Sequence, residues 1–209
     1  GVQTCALPIS FNYQLISVQD ASSTQCLQAQ SGTAVVTVWP LPVPAFQSTS
    51  PACSGRTITL NDQSNPQSAG INSWSWDFAD GSSLNPSQSP SHNYTSAGTY
   101  PVTLTVVNSN GCKNSITQPV VIQPDPVAGF ISPEICLSDT YAQFNDTSSV
   151  ASGSITQWSW NFGDPGSGAL NISNQQNPRH SYNSLGQKDI TLIVTSSAGC
   201  KDTLFQSFV

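Results

Sequence analysis

Trp74-Ser75-Trp76-Asp77-Phe78-Ala79-Asp80 returns 84 positions later as Trp158-Ser159-Trp160-Asn161-Phe162-Gly163-Asp164. Walking outward, landmarks recur in one order. Upstream, Phe46 matches Phe130, Cys53 matches Cys136, and Leu60-Asn61-Asp62 matches Phe144-Asn145-Asp146. Downstream, His92-Asn93-Tyr94 matches His180-Ser181-Tyr182, and Gly98 matches Gly186. Val102-Thr103-Leu104-Thr105-Val106 then matches Ile190-Thr191-Leu192-Ile193-Val194, and Gly111-Cys112-Lys113 matches Gly199-Cys200-Lys201. Such ordered self-similarity defines two copies of one domain of roughly 80 residues.

Each copy reads as β structure. Val102, Leu104 and Val106 alternate with Thr103 and Thr105, the period of a half-buried strand, and Thr57-Ile58-Thr59-Leu60 does the same. Alternation also puts Trp74, Trp76 and Phe78 on one strand face. Asp80-Gly81, Ala97-Gly98, Asn110-Gly111 and Pro165-Gly166 supply turns between the runs. Many short strands without a sustained helical period predict antiparallel β-sandwiches.

The domain map follows. Residues 1–9 resemble a translated sequencing adapter, with a natural loop and strand as the alternative, and are set aside. Residues 10–39, with strand-like runs at 13–18 and 34–38, read as the end of a truncated preceding repeat. Linkers at 40–45 and 124–129 flank copies at 46–123 and 130–209. Val36-x-Val38-x-Pro40-x-Pro42 and Val120-x-Ile122-x-Pro124-x-Pro126 open the two junctions. Such Pro-x-Pro runs favour extended, semi-rigid spacers. Met is absent and Val209 ends a β-like run, so the chain is expected to be a piece of a longer, metagenomic gene product.

Composition narrows the function. Five Lys+Arg against eleven Asp+Glu give a net charge of −6. That balance argues against nucleic-acid binding, which needs basic groups to neutralise phosphate, and gives no polybasic attraction to anionic lipid. No apolar run approaches the ~18 residues of a membrane span.

Six cysteines are present. One early and one late cysteine per copy predict intradomain bridges, Cys53–Cys112 and Cys136–Cys200, with buried reduced thiols as the alternative. Disulfides would place the chain in an oxidising compartment, hence outside the cell. Cys26 is left with its partner lost to truncation, and a Cys5–Cys26 bridge would belong to the adapter-like stretch.

Trp74 to Gly81, His92-x-Tyr94, and the Gly98-x-Tyr100-x-Val102-x-Leu104-x-Val106 strand together resemble the PKD (polycystic kidney disease) domain. The second copy departs from the pattern at Asn161, Pro165 and Lys188. The resemblance covers roughly residues 43–209 and implies tandem Ig-like sandwiches acting as spacers or binding modules. The Gly-Cys-Lys hairpins and Pro-x-Pro junctions resemble the arrays of large Bacteroidetes surface proteins. Gliding-motility adhesins and type IX secretion cargo are among these.

Trp76, Phe78, Tyr94, Trp160, Phe162 and Tyr182 are expected in the cores. Trp74 and Trp158 sit nearer a sandwich end and are candidates for ligand contact, since aromatic faces suit sugar rings. Trp39 is expected to pack at a domain junction. His92 and His180, the only histidines, hold equivalent places, which fits a structural hydrogen bond better than catalysis. They are also too sparse for a zinc site. Asp77, Asp80 and Asp164, with Asp62 and Asp146, are weak calcium candidates whose first reading is turn formation. The sequons at Asn93, Asn145 and Asn171 are expected by chance in so Asn/Ser/Thr-rich a chain. The predicted protein is a non-catalytic, cofactor-free extracellular spacer or adhesive module that meets protein or glycan. The alternative is an accessory region of a secreted protease or glycoside hydrolase.

Overall fold

The computed structural model describes residues 3–5, 9–19, 27–49, 51–67, 69–132 and 139–208. Its strands, in chain order, are β1 (Gln3–Cys5), β2 (Ile9–Gln19), β3 (Leu27–Trp39), β4 (Phe46–Ser48), β5 (Thr57–Asp62), β6 (Ile71–Asp77), β7 (Ser91–Asn93), β8 (Gly98–Asn108) and β9 (Lys113–Ile122). There follow β10 (Phe130–Ile131), β11 (Ala142–Gln143), β12 (Asn145–Asp146), β13 (Ile155–Asn161), β14 (Ile172–Ser173), β15 (Arg179–His180), β16 (Lys188–Ser196) and β17 (Lys201–Phe208). A 3₁₀ segment at Pro165–Asn171 interrupts them. The architecture is a tandem of antiparallel β-sandwiches.

The chain divides into two compact units: residues 1–48, 59–91 and 100–120, and residues 49–58, 92–99 and 121–209. The first contains the β1-β3-β2 sheet. The first copy of the repeat builds two three-stranded sheets, β4-β5-β7 and β6-β8-β9. The alternation in Val102, Leu104 and Val106 aims all three inward, where they are fully buried with Ile58, Leu60, Trp76 and Phe78. Phe46 meets Trp76 edge-to-face at 5.0 Å. Burying one such aromatic stabilises by a few kcal/mol, about 3 by area.

The second copy repeats the plan with a β14-β13-β16-β17 sheet opposed by the short pairs β10-β12 and β11-β15. Its core is Ala128, Phe130, Ala142, Phe144, Trp160, Phe162, Ile190, Leu192 and Val194. The register is conserved between copies. Trp76 faces Leu104 and Trp160 faces Leu192. Both tryptophan-bearing strands, β6 and β13, carry a bulge two residues before the first tryptophan, between Ile71 and Ser73 and between Ile155 and Gln157.

The Pro-rich stretches run straight into the sandwiches they precede. Val43 pairs with Asn65, and Asn114 donates from Nδ2 to the Pro42 carbonyl at 2.9 Å. Val127 pairs with Ser149, and the Ala128 amide donates to Asp202 at 2.8 Å.

The cysteine pairing differs from the sequence expectation. Cys53 is bonded to Cys200, with Cα atoms 5.8 Å apart and 147 positions between them in sequence. Both residues belong to the second unit. The expected pairs Cys53–Cys112 and Cys136–Cys200 are therefore both overturned. The reason is strand length. Cys53 stands beside Gln123, just past the end of β9, whereas Cys112 directly precedes β9. Ten extended residues hold the ends of β9 about 30 Å apart, and a disulfide tolerates at most about 7 Å between Cα atoms. Cys112 is itself disulfide-bonded, to another sulfur. Cys26 and Cys136 lie outside the described residues, as do Gly1, Val2 and Ala6–Pro8 of the adapter-like stretch.

Candidate functional site

The residues that sequence offered for ligand contact are held by the same bonds twice. Trp74 and Trp158 are both half-buried in the middle of their strands. Trp74 donates its indole N–H to Oδ2 of Asp62 at 2.8 Å, and Trp158 donates to Oδ2 of Asp146 at 2.8 Å. The other oxygen of each carboxylate accepts a backbone amide at 3.0 Å, from Ser64 and from Ser148. Gln88 and Gln176 add a side-chain amide to Asp62 and Asp146, at 3.3 and 3.1 Å. A half-buried indole N–H requires such an acceptor.

This Trp-Asp-Gln arrangement escaped the sequence reading, which took Asp62 and Asp146 for weak calcium candidates. The legible signal was the constant spacing of twelve from each aspartate to its tryptophan. The glutamines were harder to see, because the loop before them is longer in the second copy and their offset becomes 88.

In the second copy Trp158 stands between two open grooves. One, of about 420 Å³, is lined by Asp146, Ser148, Ser154, Trp158 and Gln176 among others. The other, of about 400 Å³, presents Thr156, Gln157, Ser159, Asn174 and Thr195 around the same indole. Hydrogen-bonding groups beside an aromatic surface, with Asp146 in one groove and Lys201 in the other, can recognise hydroxyl-rich or peptide-like ligands.

The core expectations have these places. Trp76, Phe78, Tyr94, Trp160 and Phe162 are buried, while Tyr182 is partly buried against the second core. The inner indoles donate to loop carbonyls at 2.9 Å, Trp76 to Ser87 and Trp160 to Gln175. Tyr182 donates its hydroxyl to the Phe162 carbonyl at 2.9 Å. Burial, then the nearby Asp164 charge, holds its phenol well above the ordinary value.

His180 is buried, stacked on Phe162 at 4.5 Å and edge-on to Tyr182 at 4.4 Å. Its Nε2 lies 3.1 Å from Oδ2 of Asp164. His92 keeps the equivalent edge-on contact with Tyr94 at 4.6 Å. Lys188, where the pattern has an aromatic, reaches 4.0 Å from Asp164 and 5.4 Å from the Tyr182 ring centre. The cluster closes one end of the second core.

Of the calcium candidates, Asp164 thus faces an ammonium and an imidazole. Asp77 and Asp80 close local turns: Asp77 accepts the Ala79 amide at 2.9 Å, and Asp80 accepts the amide and hydroxyl of Ser82 at 3.1 and 2.6 Å. Asn161 replaces Asp77 in the second copy and keeps the same turn, accepting the Gly163 amide at 2.9 Å. Cys53, Asp125 and Cys200 lie close enough to share an ion. Their sulfurs are joined to each other, so thiolate ligation is removed there.

Duplicated cores, turns and indole–carboxylate bonds define a repeated β-sandwich module of the Ig-like kind. The chain belongs to the PKD domain family, whose model matches residues 39–124 and again 123–208. Among solved structures, the PKD1 domain of Vibrio anguillarum Epp is 29% identical, covering 39% of this chain and 93% of its own, with a TM-score of 0.36. The PKD1 domain from the Vibrio cholerae metalloprotease PrtV is also 29% identical, covering 39% and 96%, with a TM-score of 0.35. Fibronectin(III)-like modules of Clostridium thermocellum CbhA are 12% identical over 78% of this chain and 91% of theirs, at a TM-score of 0.42.

Proposed function

We propose that this chain is a non-catalytic extracellular spacer and adhesive module of a large secreted or cell-surface repeat protein. The observation that carries the reading is the duplication of the Trp74–Asp62 and Trp158–Asp146 bonds. Chemistry-bearing side chains that make the same internal bond in each copy serve the scaffold, and a scaffold repeated in series serves reach. The Cys53–Cys200 bond supports an oxidising compartment. Among the described residues no helix is long and apolar enough to cross a membrane. A surface array of the Bacteroidetes type, in gliding motility or as type IX secretion cargo, is the particular setting we favour from the hairpin and junction motifs.

The adhesive part is tested by retention of chain-coated beads under flow on polysaccharide and protein surfaces. Retention above that of albumin-coated beads supports it. Equal release removes adhesion and leaves the spacer role.

A second reading, glycan contact in the service of a secreted hydrolase, is favoured by the two grooves that meet at Trp158. A glycan array run with the native chain and with Trp158→Ala separates the cases. Binding lost in the variant supports direct recognition, and no binding by the native chain removes it.

A further inference from the structure

We infer that the cysteines of this array bond in a staggered register, the early cysteine of each copy to the late cysteine of the copy that follows. Cys53 is the early cysteine of the first copy and Cys200 the late cysteine of the second. The bond has a built setting within the second unit. Ser54 donates its amide to the Gln123 carbonyl at 2.9 Å, and Gln123 donates to Ala52 at 2.8 Å. The Arg56 guanidinium donates to the Lys201 carbonyl, next to Cys200, and lies 3.6 Å from Asp125.

A matching setting recurs one copy earlier. Cys112, the late cysteine of the first copy, is disulfide-bonded although Cys53 is already taken. Its Sγ lies 3.9 Å from the Trp39 carbonyl. Trp39 occupies the position 84 before Gln123. The backbone of Cys5 pairs in parallel with Trp39, as Cys53 does with Gln123. The late cysteines also share one local frame. Cys112 and Cys200 close equivalent turns, donating their amides to the buried side chains of Asn108 at 3.0 Å and Ser196 at 3.2 Å.

By this rule Cys136, the early cysteine of the second copy, is the attachment point for a further copy of the same repeat. The partner it fits is a Gly-Cys-Lys turn like 199–201. Each copy is then covalently fastened to its neighbour beside the Pro-rich junction, where Asp125 lies against the bond. The inference needs the oxidising compartment proposed above but not adhesion.

The test is disulfide mapping of the full chain produced in an oxidising compartment, alkylated without reduction, digested and sequenced by tandem mass spectrometry. Expected are a Cys53–Cys200 link, a link from Cys112 to a cysteine N-terminal to Trp39, and alkyl label on Cys136. The Cys136→Ser variant should keep both links and an unchanged melting temperature. Links Cys53–Cys112 and Cys136–Cys200 would overturn the staggered register and leave the extracellular reading standing. Label on all six cysteines would overturn both.

Discussion

Trp158 donates its indole N–H to Asp146 at 2.8 Å, and this bond ties the middle of strand β13 to the end of the opposing strand β12. Removing the acceptor leaves a half-buried donor without a partner, at a cost of about 1–2 kcal/mol. Asp146→Ala should lower unfolding stability by that amount, and Asp146→Asn, which keeps an acceptor, by distinctly less. Asp62→Ala should match it through Trp74. Urea midpoints at constant m-value measure both.

One position should respond oppositely in the two copies. Ala79 holds a left-handed backbone at φ 58°, and its counterpart Gly163 lies at φ 64°. Ala79→Gly removes strain and should stabilise by about 1 kcal/mol. Gly163→Ala places a Cβ 2.6 Å from the Asp189 carbonyl oxygen and 2.7 Å from its nitrogen. With the backbone strain added, the loss should exceed about 2 kcal/mol. Thermal melts of the two variants check the signs.

The Cys53–Cys200 bond closes a loop of 147 positions, worth about 5 kcal/mol in the chain-entropy model. Cys53→Ser and Cys200→Ser should destabilise equally, and the double variant no further, because each removes the same bond. Cys53→Ser and Cys112→Ser should instead add. A double-mutant cycle by denaturant titration distinguishes the pairings.

Alkaline stability should report on Tyr182. Its folded-state value is raised by burial and Asp164 above the ordinary 10.0. The unfolded chain therefore loses this proton first, and stability falls as pH rises above about 10. Below that the contribution is complete. Tyr182→Phe should flatten the decline above pH 10, while losing at neutral pH the bond to the Phe162 carbonyl, about 1 kcal/mol. Chemical unfolding from pH 8 to 11 measures the slope.

Asp164 faces His180 and Lys188, so neither EDTA nor millimolar calcium should move the melting temperature. A calcium-dependent rise would restore Asp77, Asp80 or Asp164 as ligands.

The repeat, the β class and the burial of Trp76 and Trp160 were legible because side-chain alternation and self-similarity are local properties of the chain. Trp74 and Trp158 were legible only as residues nearer a sandwich end and candidates for ligand contact. Their acceptors lie on strands of the opposing sheet, and the packing of sheet on sheet brings together residues that local alternation does not reveal. The disulfides misled for the same reason. An early and a late cysteine per copy looked like one bridge, yet β9 places Cys112 and Gln123 at its opposite ends, and Gln123 is where Cys53 stands. The loop Pro165–Asn171 shifted the second copy's register and concealed Gln176 as the twin of Gln88.

Stretching single oxidised molecules from their two ends tests the spacer account most directly. Load passing from Cys53 through the disulfide to Cys200 bypasses the enclosed residues, so they cannot extend. Reduction should release about 500 Å of additional contour, the extended length of 147 positions. The full contour appearing in the oxidised chain, with no gain on reduction, would contradict the account.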